Sequence, residues 1–237
     1  MELLERGAFL ESLDGWLAAA RNGEGCMVLH RVTGGNPFFV TEVLGAAGPE
    51  LPPTVRDAVL ARTARLTPAA RAALDAATVS AQLAKARIAT AKYATNLHAA
   101  KADGYQIITR MIPDMGYHFL NPTIQEFDGT KPTILVYEHH RRSWQLGALE
   151  WVFLQQPATP PLPGATYGSF GAACHYTDGT FVFARVQELC ATRSPQTGSP
   201  FNFWHPDLVT LHVWVWYHNP DGLYNGTNPL VRPFNRG

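Results

Sequence analysis

The chain has 237 residues, 46% of them hydrophobic and 16% charged, and its basic and acidic side chains balance to a formal net charge of zero. It is therefore globular and poor in charge, and it lacks the clustered cations on which nucleic acid binding rests. No apolar run reaches the roughly 20 residues that span a bilayer, and MELLERGAFLES lacks the basic-then-apolar order of a signal peptide. The expectations are no nucleic acid, no membrane partner and a cytoplasmic location as written.

Residues 1 to about 101 are alanine-rich with helical punctuation. Phe9, Leu13, Trp16, Leu17 and Ala20 fall on one helical face, and Asn22-Gly23 ends that run. CMVL (26–29) is a short predicted strand. Asn36-Pro37 opens a second helix, Thr54 with Asp57 forms a capping box for a third, and Thr67-Pro68 starts a fourth. Ser80 is the expected cap of a last helix that stops at Asp103-Gly104.

After Gly104 aromatic and β-branched residues dominate, broken by asparagine-proline, aspartate-glycine and proline clusters. TILVYEH (133–139) and WQLGALEWVF (144–153) are predicted strands joined by a turn at His139-His140-Arg141-Arg142. QQPATPPLPG (155–164) is a loop, CHYTDGTFVF (174–183) a hairpin around Asp178-Gly179, and LVTLHVWVWYH (208–218) a long strand. Three cysteines are too few for a disulfide scaffold. Cys174 and Cys190 flank the hairpin, and their pairing stays open because it depends on the compartment.

The segments LLERGAFLESLDGWLAAARNGEG, VTGGNPFFVTEVL and LPPTVRDAVLARTARLTPAARAALDAA, within residues 1–79, resemble the ATPase region of LuxR-type bacterial transcription regulators. In that family a phosphate loop and nucleotide-binding core separate the first segment from the second. Here GEGCMVLH runs almost directly into RVTGGNPFF, and no G-x-x-x-x-G-K-[ST] occurs. The resemblance therefore implies a truncated remnant, a chimeric reading frame and no ATP chemistry. Gly34-Gly35-Asn36 reads as helix capping in preference to a vestigial anion site. From about Leu83, ATAKYATNLHAAKADGY, IPDMGYHFLNP, KPTILVYE, LEWVF and HPDLVTLHVWVWYHNPDGLYNGTNP resemble an uncharacterised group of bacterial, often exported, proteins. That resemblance implies an exported ancestry and no particular activity. The expected domains are 1–79, the helical remnant, and 80–237, a β-rich domain with a leading helix.

Within the second region, strand alternation puts three polar residues on apolar faces. His118 lies between Met115-Gly116-Tyr117 and Phe119-Leu120. Glu150 alternates with Ala148 and Val152, and His212 shares a face with Trp214 and Trp216. A glutamate there is costly to bury without a compensating cation. Two histidines and a carboxylate on separate strands are a common ligand set for zinc or non-haem iron. The alternative pairs Glu150 with an arginine and leaves both histidines as satisfied core residues. His205-Pro206-Asp207 offers an acid/base pair or groups that orient water, against the plainer reading of a turn capped by the aspartate. His175 is a further possible ligand or a structural residue of the hairpin. Ser169 in YGSFGAACH fits a nucleophile elbow poorly, since Tyr167 stands where glycine is required.

The expected fold is α+β: amino-terminal helices packed against or preceding an antiparallel sandwich or distorted barrel. The leading functional expectation is a small metalloenzyme that hydrolyses a small ester, lactone or amide. His118, Glu150 and His212 would hold zinc or iron, and Asp207 or His205 would orient water. The alternatives are a ligand-binding module using Trp144, Trp151, Trp204, Trp214, Trp216 and Tyr217, or a structural or interaction protein.

Overall fold

The computed structural model describes residues 66–235. The helices and strand expected before residue 66 and the Gly34-Gly35-Asn36 turn lie outside them. The chain divides into two compact units, Met1–Arg71 and Ala72–Gly237, and every strand among the described residues falls in the second. Among the described residues no helix is long and apolar enough to cross a membrane.

Helix α1 (Pro68–Thr90) starts as its sequence predicts. Pro68 occupies the first turn, and the Thr67 hydroxyl accepts from Ala70 N–H at 3.2 Å. The helix then runs through Ser80 without a break, so Ser80 is an interior residue and not a cap. Alanine has the highest helix propensity, and eight alanines from Ala69 to Ala84 leave no reason for a stop there. A 3₁₀ turn (Ala91–Tyr93) leads to α2 (Leu97–Ala102), where the Asn96 carboxamide oxygen accepts from Ala99 N–H. Gly104, at φ 96°, then turns the chain into the first strand.

Among the described residues nine strands follow: β1 (Gln106–Ile112), β2 (Gly116–Leu120), β3 (Ile134–His140), β4 (Ser143–Phe153), β5 (Gly168–Phe170), β6 (Ala173–Tyr176), β7 (Phe181–Phe183), β8 (Phe201–His205) and β9 (Leu208–Val213). Six form a curled antiparallel half-barrel in the order β1-β2-β3-β4-β9-β5, and three form a smaller antiparallel sheet, β7-β6-β8. The class is α+β. The hairpin around Asp178-Gly179 is present, and Cys174 and Cys190 form a disulfide with Cα atoms 5.6 Å apart.

Period-two alternation gives the large sheet two different faces. Phe119, Leu135, Tyr137, Leu149, Trp151 and Leu211 pack with Ala86, Tyr93, Leu97 and Ala100 of the helical segment. Burying each large side chain stabilises by roughly 1.5–3 kcal/mol before conformational entropy is subtracted. Helix and sheet are also tied by polar contacts: Tyr137 O–H donates to Tyr93 O, and Leu146 N–H to Ala94 O, both at 2.8 Å. On the opposite face Ile134, Val136, Ala148 and Trp214 cluster with Val231 of the carboxy-terminal 3₁₀ segment (Pro229–Asn235). The smaller sheet meets the large one at β1, where Arg110 N–H donates to Gly179 O at 2.8 Å.

The strand expected over 208–218 ends at Val213. Past it the backbone leaves the ladder: Trp214 N–H donates to Leu223 O, and Trp216 N–H to Gly147 O. Gly147 is the residue skipped where the β3–β4 register shifts between Val136 and Tyr137. The alternation of tryptophans past 213 mimics a strand, but their N–H groups belong to a bulge and a loop.

Candidate metal centre

Cross-strand register carries the three polar residues to one place. On β4 and β9, Glu150 and His212 are direct partners. His118 pairs with Val136, which pairs with Ala148, and Ile134 separates His118's strand from Glu150. Two strand spacings of about 4.8 Å would hold His118 and Glu150 nearly 10 Å apart on a flat sheet. The two side chains, reaching toward each other across the curled half-barrel, span that gap and leave His118 Nε2 3.6 Å from Glu150 Oε2. One donor atom from each of His118, Glu150 and His212 lies within 4.8 Å of the others, and all three side chains are buried.

Metal bonds of about 2.0–2.2 Å put two donors on one tetrahedral ion roughly 3.4 Å apart, so the His118–Glu150 spacing fits. The His118 Nδ1 lies 2.8 Å from the Thr109 hydroxyl across the β1–β2 ladder. With the proton on Nδ1, the Nε2 lone pair is free to face the carboxylate. His212 is more telling still. Both of its ring nitrogens are buried and neither has a hydrogen-bond partner, an arrangement that costs about 1–3 kcal/mol unless something else satisfies it.

The electrostatics suit a cation. Burial pushes His118 down to about 4 and His212 down to about 3, so both are neutral donors near pH 7. Burial pushes Glu150 up to about 7, partly offset by the Thr210 hydroxyl beside it. The arginine that would have explained Glu150 otherwise is not there: among the described residues the basic side chain that comes within 4.0 Å of its carboxylate is His118, and that ring is neutral.

The triad opens on a cavity of about 160 Å³ with mostly apolar walls, among them Ile108, Ile112, Ile134, Val152, Phe170 and Leu208. His175 and His205 reach it from the small sheet. Asp207 does not: it is exposed, does not line the cavity, and its Oδ1 accepts from Ala172 N–H at 2.8 Å. His205 ends β8 and Asp207 lies in the connection before β9, so the two do not share a strand face. The aspartate instead ties the β8–β9 connection to Ala172, between β5 and β6. Ser169 lines the cavity and pairs with Val209 across the β5–β9 ladder, but among the described residues it hydrogen-bonds to no histidine. The tryptophans form no common platform. Trp151 and Trp214 are buried in different clusters, Trp204 donates to Ala184 O beneath the small sheet, and Trp216 lies under the Arg87 guanidinium at 5.5 Å.

Two buried groups were missed by the reading of the sequence. Thr109 holds His118, and nothing in a lone threonine marks it as an anchor. Glu138 is fully buried with neither carboxylate oxygen hydrogen-bonded, and burial pushes it up to about 8. It alternates with Ile134 and Val136, so the period-two test that finds Glu150 also finds it. Compared with protein-family models, with curated proteins and with solved structures, the chain matches none.

Proposed function

We propose that this chain is a small metalloenzyme: His118, Glu150 and His212 hold a zinc or ferrous ion, and a small ester, lactone or amide is hydrolysed in the adjoining cavity. The observation that carries the reading is His212, whose two buried nitrogens have no partner and which faces a second imidazole and a carboxylate. Neutral imidazoles need lose no proton to act as ligands, and Glu150 ionises near neutral pH. The ion, when bound, would supply Lewis acidity toward a carbonyl group. Thr109 fixes the His118 ring, and Thr210 favours the charged form of Glu150. The apolar walls take up an acyl or ring portion and limit its size, since a cavity of about 150 Å³ accommodates a benzene-sized guest.

The test combines elemental analysis with turnover of short-chain chromogenic esters and small lactones. Zinc or iron should co-purify or reload in stoichiometric amount, and hydrolysis should vanish with chelator and in Glu150→Gln. A protein that binds neither ion would overturn the metal centre. One that binds metal yet turns over none of these substrates would overturn the reaction alone.

A further inference from the structure

The same cavity is lined by a second pair of imidazoles, His175 and His205. On the small sheet Ala173 pairs with His205, which places His205 and His175 on the same face. His175 Nδ1 lies 2.8 Å from Ile108 O, and His205 Nδ1 lies 2.6 Å from Pro206 O. A carbonyl oxygen only accepts, so each ring carries its proton on Nδ1. The two Nε2 atoms, 2.9 Å apart, then face each other as bare acceptors. Two lone pairs at that separation repel, and the arrangement calls for a cation to join them.

A shared proton fits the surroundings poorly. Phe203 stacks on His175 with centroids 4.8 Å apart, and Phe170 touches both rings. The carboxylate that acts on His205 is that of Asp207, already committed to Ala172 N–H. Histidines whose Nδ1–H is held by a carbonyl are the form in which proteins present Nε2 to transition metals. Metal–nitrogen bonds of about 2.0–2.1 Å meeting near a right angle, as in octahedral or square-planar coordination, place the nitrogens roughly 2.9 Å apart, against roughly 3.4 Å on a tetrahedral ion.

We propose that His175 and His205 bind a divalent transition-metal ion through their Nε2 atoms, as a second site in the cavity that His118, Glu150 and His212 face. Two imidazoles with no carboxylate select zinc, ferrous or cupric ion over magnesium and calcium, and they leave positions open to oxygen atoms of a small molecule in the cavity. The pair does not require the triad to be loaded.

The test is zinc stoichiometry of the full chain, by mass spectrometry after loading and dialysis, with folding checked by circular dichroism. Wild type should hold two equivalents, and His205→Phe, His205→Gln and Glu150→Gln one each. Equal zinc in wild type and both His205 variants overturns the second site; if Glu150→Gln still loses its equivalent, the triad stands and the pair shares only a proton. Loss in the His205 variants but not in Glu150→Gln upholds the pair and removes the triad. Nitrogen-15 spectra of the wild-type imidazoles give a readout free of substitutions. Zinc should shift the Nε2 resonances of His175 and His205, and unmoved resonances overturn the proposal.

Discussion

His212 has neither ring nitrogen hydrogen-bonded although the side chain is buried, so in metal-free protein it is a cost without a return. Replacing it with leucine should raise metal-free stability by roughly 1–3 kcal/mol, the penalty of an unpaired buried polar group, while abolishing metal-induced stabilisation. Urea denaturation with and without zinc measures both, and a less stable metal-free His212→Leu would contradict the assignment. Glu138 makes the matching case for protons. Its carboxyl is pushed from 4.5 up to about 8 by burial, so between those values the folded state binds more protons than the unfolded one. Stability must then fall as pH rises through that window. Glu138→Gln should flatten this part of the profile and raise the melting temperature at pH 8 relative to wild type; an unchanged slope would show that the carboxyl is solvated. At this scale the sequence was informative wherever period two decides a face, as at His118, Glu150 and His212. It was silent about Thr109, because an anchoring hydroxyl has no pattern of its own.

At the scale of elements, the Cys174–Cys190 disulfide closes a 16-residue separation and fastens β6 beside the segment that follows β7. Closing a loop of about 15 residues is worth around 3 kcal/mol in the chain-entropy view. Reduction, or Cys174→Ser with Cys190→Ser, should therefore lower stability by about that amount. It should also disturb His175, the next residue on β6, more than His118 on β2. Thermal melts with and without reductant, together with imidazole resonances, check both parts; an unchanged melting temperature would contradict the expectation. The hairpin was legible because Asp178-Gly179 supplies a turn and the flanking residues alternate. The end of β9 at Val213 was not legible. It depends on Gly147, some 66 positions earlier, taking the Trp216 N–H that a longer strand would have paired elsewhere.

For the whole molecule, the α+β class was readable from the change of texture near Gly104, whereas the site was readable only as a set of candidates. Glu150 and His212 meet through direct pairing, which a correct register alone would give. His118 comes from β2, two strands away from β4, so its approach depends on side-chain reach and on the curl of the sheet, and no local sequence pattern gives either. An ion at the triad would act as a clasp between β2, β4 and β9, and ligand bound only to the folded state stabilises by about 2.7 kcal/mol at a hundred times its dissociation constant. The most direct test is therefore thermal unfolding combined with metal content, for wild type and Glu150→Gln, before and after loading with zinc or, anaerobically, ferrous ion. The expected result is a wild type that gains metal and melts several degrees higher, beside a folded Glu150→Gln that holds one equivalent fewer and loses most of the shift. Equal metal content and equal shifts in the two proteins would contradict a metal centre at His118, Glu150 and His212.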